Sequence, residues 1–143
     1  MTLTFLLSSF ASYAWAGYGA DLAERMFKYA TLMESLHQKT ITKMNSAMLS
    51  KTNNTMSYTA TLYSGNDYVV YAFGDNRIKD TDLVVYRKDS SGSWVQVKRD
   101  VDTNNLAIVE FHCYTQGEYK FEVKAYEFES DYSRGYYGLI IGF

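Results

Sequence analysis

A chain of 143 residues with one cysteine, no proline and a net charge of -2 supports one domain with a single core and no need of covalent staples. The composition excludes an internal disulfide framework and a cysteine-based zinc cluster, and its mixed charge offers no basic face for nucleic acid. Tyrosine occurs 14 times; it favours strands, and its rigid ring with a polar tip also suits binding surfaces.

The first segment, residues 1–20, carries no charged side chain, and Leu3-Thr4-Phe5-Leu6-Leu7 is a short apolar run. Ala14-Trp15-Ala16 places small residues where a signal peptidase cuts, so residues 1–16 read as a signal peptide, with Gly17 as the mature start. The run is too short and Ser-rich for a membrane span, and it lacks the usual basic residue before it. A competing reading is a pilin-like start, although Phe5 stands where bacterial pilins carry glutamate.

Residues 17–55 form the second unit, an amphipathic helix and linker. Leu22, Met26, Tyr29, Met33 and Leu36 recur at spacings of four and three, and Ile41, Met44 and Met48 extend the apolar face towards Ser50. Asp21 and Glu24 sit in the first turn, where carboxylates favour the helix dipole. A break falls near residues 37–42. Lys51 to Thr55 ends the helix; its Asn53-Asn54-Thr55 sequon has meaning only in a eukaryotic secretory route. The Met-rich stripe packs on the protein's own domain or grips a partner helix.

Residues 56–143 read as short strands separated by turns at Ser64 to Asp67, Asp89 to Ser93, Asp102 to Asn105 and Thr115 to Glu118. Their regular spacing predicts a mainly β fold, an antiparallel sandwich of about seven strands. In Ala107, Val109, Phe111 and Cys113 one side is apolar, and Tyr119, Phe121, Val123 and Ala125 repeat this after the turn. These two strands are expected to pair as an antiparallel hairpin, with Cys113 inside. The last strand is apolar on both sides from Tyr136 to Phe143, which predicts a central strand covered by the helix; the chain is too short for a membrane barrel ending in that strand.

Asn66-Asp67-Tyr68, Gly74-Asp75, Asp80-Thr81-Asp82-Leu83-Val84-Val85-Tyr86, the Gly92 turn, Arg99-Asp100-Val101-Asp102, Gly117-Glu118-Tyr119-Lys120-Phe121-Glu122-Val123 and Tyr136-Tyr137-Gly138-Leu139 follow in order. Together they resemble the bacterial pre-peptidase C-terminal (PPC) domain, over residues 58–143. The resemblance implies a jelly-roll-like β-sandwich, secretion, and binding of polymeric substrates or, in some members, calcium. It implies no single activity.

Three chemistries are open to these residues. Asp75, Asp80 and Asp82, with Asp100 and Asp102 from a later loop, could supply oxygens to calcium, the one cofactor considered; the same residues also serve as turn formers. Glu110 and His112 share a strand face and could act as an acid–base pair, but there is no Gly-x-Ser-x-Gly elbow, zinc-binding His motif or phosphate loop, so no enzyme is expected. Tyr126, Tyr132 and Tyr136 flank the last loop and could stack on a glycan or a protein ligand. The leading expectation is a secreted or periplasmic, non-enzymatic module binding a glycan or protein. The alternative is an extracellular filament subunit, a homo-oligomer assembled through the helix.

Overall fold

The computed structural model describes residues 19–143. The expectations of a signal peptide over residues 1–16 and of a pilin-like start fall outside the described residues. One helix, α1 (Ala20–Leu36), precedes eight strands: β1 (Ile41–Ser50), β2 (Thr55–Leu62), β3 (Asp67–Gly74), β4 (Ile78–Lys88), β5 (Trp94–Asp100), β6 (Leu106–His112), β7 (Gly117–Phe128) and β8 (Arg134–Gly142). They form two four-stranded antiparallel sheets, ordered β1-β8-β3-β6 and β2-β7-β4-β5. Successive strands alternate between the sheets except at β4–β5, which is a jelly-roll winding.

The core lies between the sheets. Tyr68, Val70 and Ala72 of β3, Tyr137, Leu139 and Ile141 of β8, and Leu83, Val85, Phe121 and Val123 of the facing sheet are buried in it. Cys113 is also buried there, its Sγ 3.4 Å from the Tyr119 hydroxyl. The Tyr119 hydroxyl donates to the Thr115 carbonyl at 2.7 Å. Burial, with the Cys113 contact second, pushes the Tyr119 phenol up.

The helix covers the outer face of the first sheet. Leu22, Met26, Ala30 and Met33 pack on Val69, Tyr71, Phe73 and Ile140. The stripe read from the sequence therefore packs on the protein's own domain. β8 is central, between β1 and β3, and covered by α1 as expected. Its outward positions alternate with glycine for a steric reason. A Cβ on Gly138 would lie 2.5 Å from Met26 Sδ and from Phe73, and one on Gly142 would lie 2.8 Å from Met33 Sδ.

Three expectations need correction. The helix does not run to Ser50. It ends at Leu36, Gln38 takes a left-handed conformation (φ 54°), and Ile41–Ser50 is β1. The β-branched run Thr40-Ile41-Thr42 suits a strand. The sequence misleads because a register shift between Ile41 and Lys43 turns Ile41 to the same side as Met44. Both then pack on the helix cluster, and a bulged strand mimics a helical spacing of three. The sandwich consequently begins at Ile41 rather than at residue 56, and with eight strands it agrees with the expectation of about seven.

The third correction concerns β6 and β7. They are not a hairpin: β6 pairs with β3, whereas β7 lies between β2 and β4 in the other sheet. The alternation was read correctly, since Ala107, Val109, Phe121 and Val123 all face the core. Their apolar sides meet across the sandwich instead of lying side by side.

Candidate functional site

The β3–β4 connection, residues 74–78, is held from several sides. The Asp75 N–H donates to the Tyr136 carbonyl at 2.9 Å. Its carboxylate, fully buried, accepts the Arg77 N–H at 3.0 Å, Arg77 Nε at 2.9 Å and the Tyr136 N–H at 3.1 Å. Arg77 Nη2 closes an ion pair with the same oxygen. That hydrogen bond to Asp75 holds the Arg77 guanidinium above its usual range, against the opposing effect of burial. Asn105 adds its side-chain amide to the carbonyls of Asp75, at 3.2 Å, and Ile78. Gly135 fits beside this knot because a Cβ there would lie 2.9 Å from Asp75 Oδ1.

The knot forms one wall of a cavity of about 460 Å³. Arg77 and Tyr136 line it on one side, with the Arg77 guanidinium carbon 5.1 Å from the Tyr136 ring centroid. Asp131, Tyr132 and Ser133 of the β7–β8 connection and Arg134 at the start of β8 line it as well. Met48 of β1, which pairs with Tyr136, completes it. The Tyr132 N–H donates to the Glu129 carbonyl at 3.0 Å, which folds this connection into a turn. The volume falls within the range of small-molecule sites, and cationic and aromatic groups line it together.

Of the three tyrosines singled out in the sequence, Tyr132 and Tyr136 meet here. Tyr126 does not. It lies on β7 in the other sheet, 63% exposed, with the Lys124 ammonium 5.1 Å from its ring centroid. Arg77 and Arg134 were not singled out. Nothing local in the sequence brings Arg77, Arg134 or Met48 to the site.

The five aspartates do not form one metal centre. The Asp75 carboxylate is engaged by Arg77 and two backbone N–H groups. Asp80 and Asp82 are buried on the stretch of β4 beside the β5–β6 connection, Asp80 accepting the Asn104 N–H at 3.2 Å. Burial pushes both carboxyls up, and Asp100 adds to the effect in each case. Asp100 accepts the Ile108 N–H at 2.8 Å and the Asp102 N–H at 3.1 Å. Asp102 itself is exposed. Among the described residues no group of three or more His, Cys, Asp or Glu is placed to hold a metal ion.

Glu110 and His112 are not a pair either. Glu110 bonds His37 Nδ1 at 3.1 Å, and His112 Nδ1 bonds Asp67 at 2.7 Å. Both histidines line a shallow cleft at the other end of the sheet, with Lys39 and Lys98.

No protein-family model matches the sequence, and no curated protein matches it. Solved structures do resemble the fold. The pre-peptidase C-terminal domain of collagenase from Bacillus anthracis aligns with a TM-score of 0.53 at 16% identity, covering 69% of this chain and 87% of that one. PliG from Aeromonas hydrophila, a periplasmic inhibitor of g-type lysozyme, aligns with a TM-score of 0.50 at 14% identity, covering 70% and 83%. The protein is a mainly β chain with a PPC-like sandwich fold.

Proposed function

We propose that the protein is a non-enzymatic exported module, secreted or periplasmic, that binds a glycan or protein ligand in the cavity between Tyr132 and Tyr136. The observation that carries this reading is that Tyr132, Arg134 and Tyr136, from one stretch of chain, meet Arg77 of the β3–β4 connection and Met48 of β1 on one concave site. Tyrosine faces stack on sugar rings or on partner side chains, and guanidinium groups fix polar substituents in a defined orientation. The buried Asp75–Arg77 pair holds one wall rigid, which lowers the ordering cost of binding. A non-enzymatic role fits the histidines, because each is tied to a separate carboxylate and neither shares its partner with a nucleophile. The likeness to PliG, a lysozyme inhibitor, is in keeping with a binding role for this fold; the ligand proposed here rests on the cavity alone. Among the described residues no helix is long and apolar enough to cross a membrane. The filament alternative would use the apolar stripe of α1, and the protein's own sheet covers that stripe.

The test is a ligand profile on a panel of immobilised glycans and surface proteins. Tyr132→Ala and Tyr136→Ala are expected to weaken binding by about tenfold, in keeping with a lost stacking contact and hydrogen bond. Tyr126→Ala should leave it unchanged. A profile that survives both cavity substitutions, in proteins that still melt cooperatively, removes the tyrosines from the site.

A further inference from the structure

The cavity continues past Arg134 into a second hollow of about 300 Å³, lined by Ser50, Lys51, Thr52, Ser133 and Arg134. Ser133 and Arg134 line both. The second hollow is built on a closed turn. The Ser50 and Asn53 backbones bond each other at 3.0 and 3.1 Å, and the Ser50 and Thr52 hydroxyls lie 3.2 Å apart. The Lys51 N–H donates to the Ser133 carbonyl at 2.9 Å, which joins this turn to the segment carrying Tyr132 and Arg134. The hollow's lining holds two cations, three hydroxyls and no carboxylate. Among the described residues neither Lys51 nor Arg134 makes an ion pair. By contrast, Arg77 in the first cavity is already compensated by Asp75.

We propose that this second hollow is an anion subsite, and that the ligand is an acidic glycan. The inference rests on the reading of the tyrosine cavity as a ligand site. A sugar ring would lie against Tyr132 and Tyr136, and a carboxylate or sulfate on the same or the next ring would sit between Lys51 and Arg134. The hydroxyls of Ser50, Thr52 and Ser133 supply further hydrogen bonds. Guanidinium groups hold such oxyanions in bidentate fashion, and an ammonium adds a point charge. The adjoining tyrosine cavity offers flat ring faces of the kind that stack on a sugar. The whole chain carries a net charge of -2, so attraction of a polyanion has to be local to these residues and not a property of the surface at large.

The intact protein is tested against polygalacturonate, dextran sulfate and neutral dextran at low salt. At least one acidic polymer is expected to bind about tenfold or more tightly than dextran, and whichever is tighter separates a carboxylate from a sulfate ligand. The double variant Lys51→Gln/Arg134→Gln should lose that advantage with its melting temperature unchanged. Lys39→Gln, at the opposite end of the sheet, should keep it. The proposal fails if wild type binds neither acidic polymer or binds dextran equally well. It also fails if the double variant binds as wild type does, or if Lys39→Gln loses as much. If Tyr132→Ala weakens binding while the double variant does not, the tyrosine cavity stands without its anion subsite. If neither substitution matters, both readings fall.

Discussion

Asp75 shows how one side chain decides a site. Its carboxylate is buried, takes two backbone N–H groups and is paired with Arg77. Breaking a buried pair costs more than the pair contributes, because a charge is left without its counterpart. Asp75→Asn removes that charge and leaves an oxygen for only one of the two backbone N–H groups, which bond different carboxylate oxygens. It is expected to lower unfolding stability by about 3 kcal/mol, measured by urea denaturation. Adding Arg77→Met should restore part of the loss, and an unaltered denaturation midpoint for Asp75→Asn would show that the pair is not what organises the loop. Asp82 carries a different cost. Its carboxyl is pushed up by burial first and by Asp80 next, Lys124 opposes this, and Asp100 adds to it. A carboxyl with a raised value in the folded state stays protonated where the unfolded chain has already ionised. Its contribution to stability is therefore greatest at low pH, falls as pH rises through the raised value, and is lost above it. Asp82→Asn is expected to melt higher than wild type at pH 7, with the gap closing towards pH 4. Thermal melts of both proteins across that range check the sign.

At the scale of elements, α1 and β8 are matched by size. Met26 and Met33 sit seven residues apart on the helix, over Gly138 and Gly142, four residues apart on the strand. The absent Cβ atoms let the helix approach closely, and the flexible methionines fill what remains. The start of the helix is fastened by Asp21, which accepts Arg25 Nε and the Asn76 N–H, both at 2.8 Å. Its far end is fastened by His37, through Glu110 and an edge contact with Tyr71 at 5.7 Å between centroids. Gly138→Ala places a methyl group against both Met26 and Phe73. Overpacking of this kind costs roughly 1–3 kcal/mol. A lowered melting temperature with increased proteolysis in α1 is the expected outcome; a methyl group accommodated without loss would mean that the helix is not seated as closely as described.

At the scale of the whole molecule, the two sheets are closed along one side by side chains rather than by strand pairing. β5 and β6 are edge strands of different sheets. Asp100 accepts the Ile108 N–H, and Lys98 donates to the Glu110 carbonyl, each at 2.8 Å. These bonds occupy backbone groups that β6 would otherwise present to another chain. Asp100→Ala is expected to reduce stability by about 1.5 kcal/mol and to promote concentration-dependent association, read by sedimentation velocity. A variant that stays as dispersed as wild type would leave the edge protected by other means. The cavity lined by Tyr132 and Tyr136 lies at the end formed by the β3–β4 and β7–β8 connections. The histidine cleft lies at the opposite end, beside Asp67.

The amino-acid sequence by itself determined which face of each late strand is buried, the central place of β8, the turn positions and the class of fold. These are local properties: side chains alternate with a period of two along a strand, and turn residues act on their own backbone. It did not determine partners. Alternation gives a strand its faces but not its neighbour, so β6 and β7 read as a hairpin although they meet across the core. A bulge made β1 read as helix. The site was half legible for the same reason. Tyr132 and Tyr136 were visible because they flank one loop. Arg77, Met48 and Lys51 come from distant segments, and only the jelly-roll winding sets them beside Arg134. Tertiary structure likewise decided what the aspartates do, because burial and the Arg77 guanidinium commit Asp75 to holding the loop together.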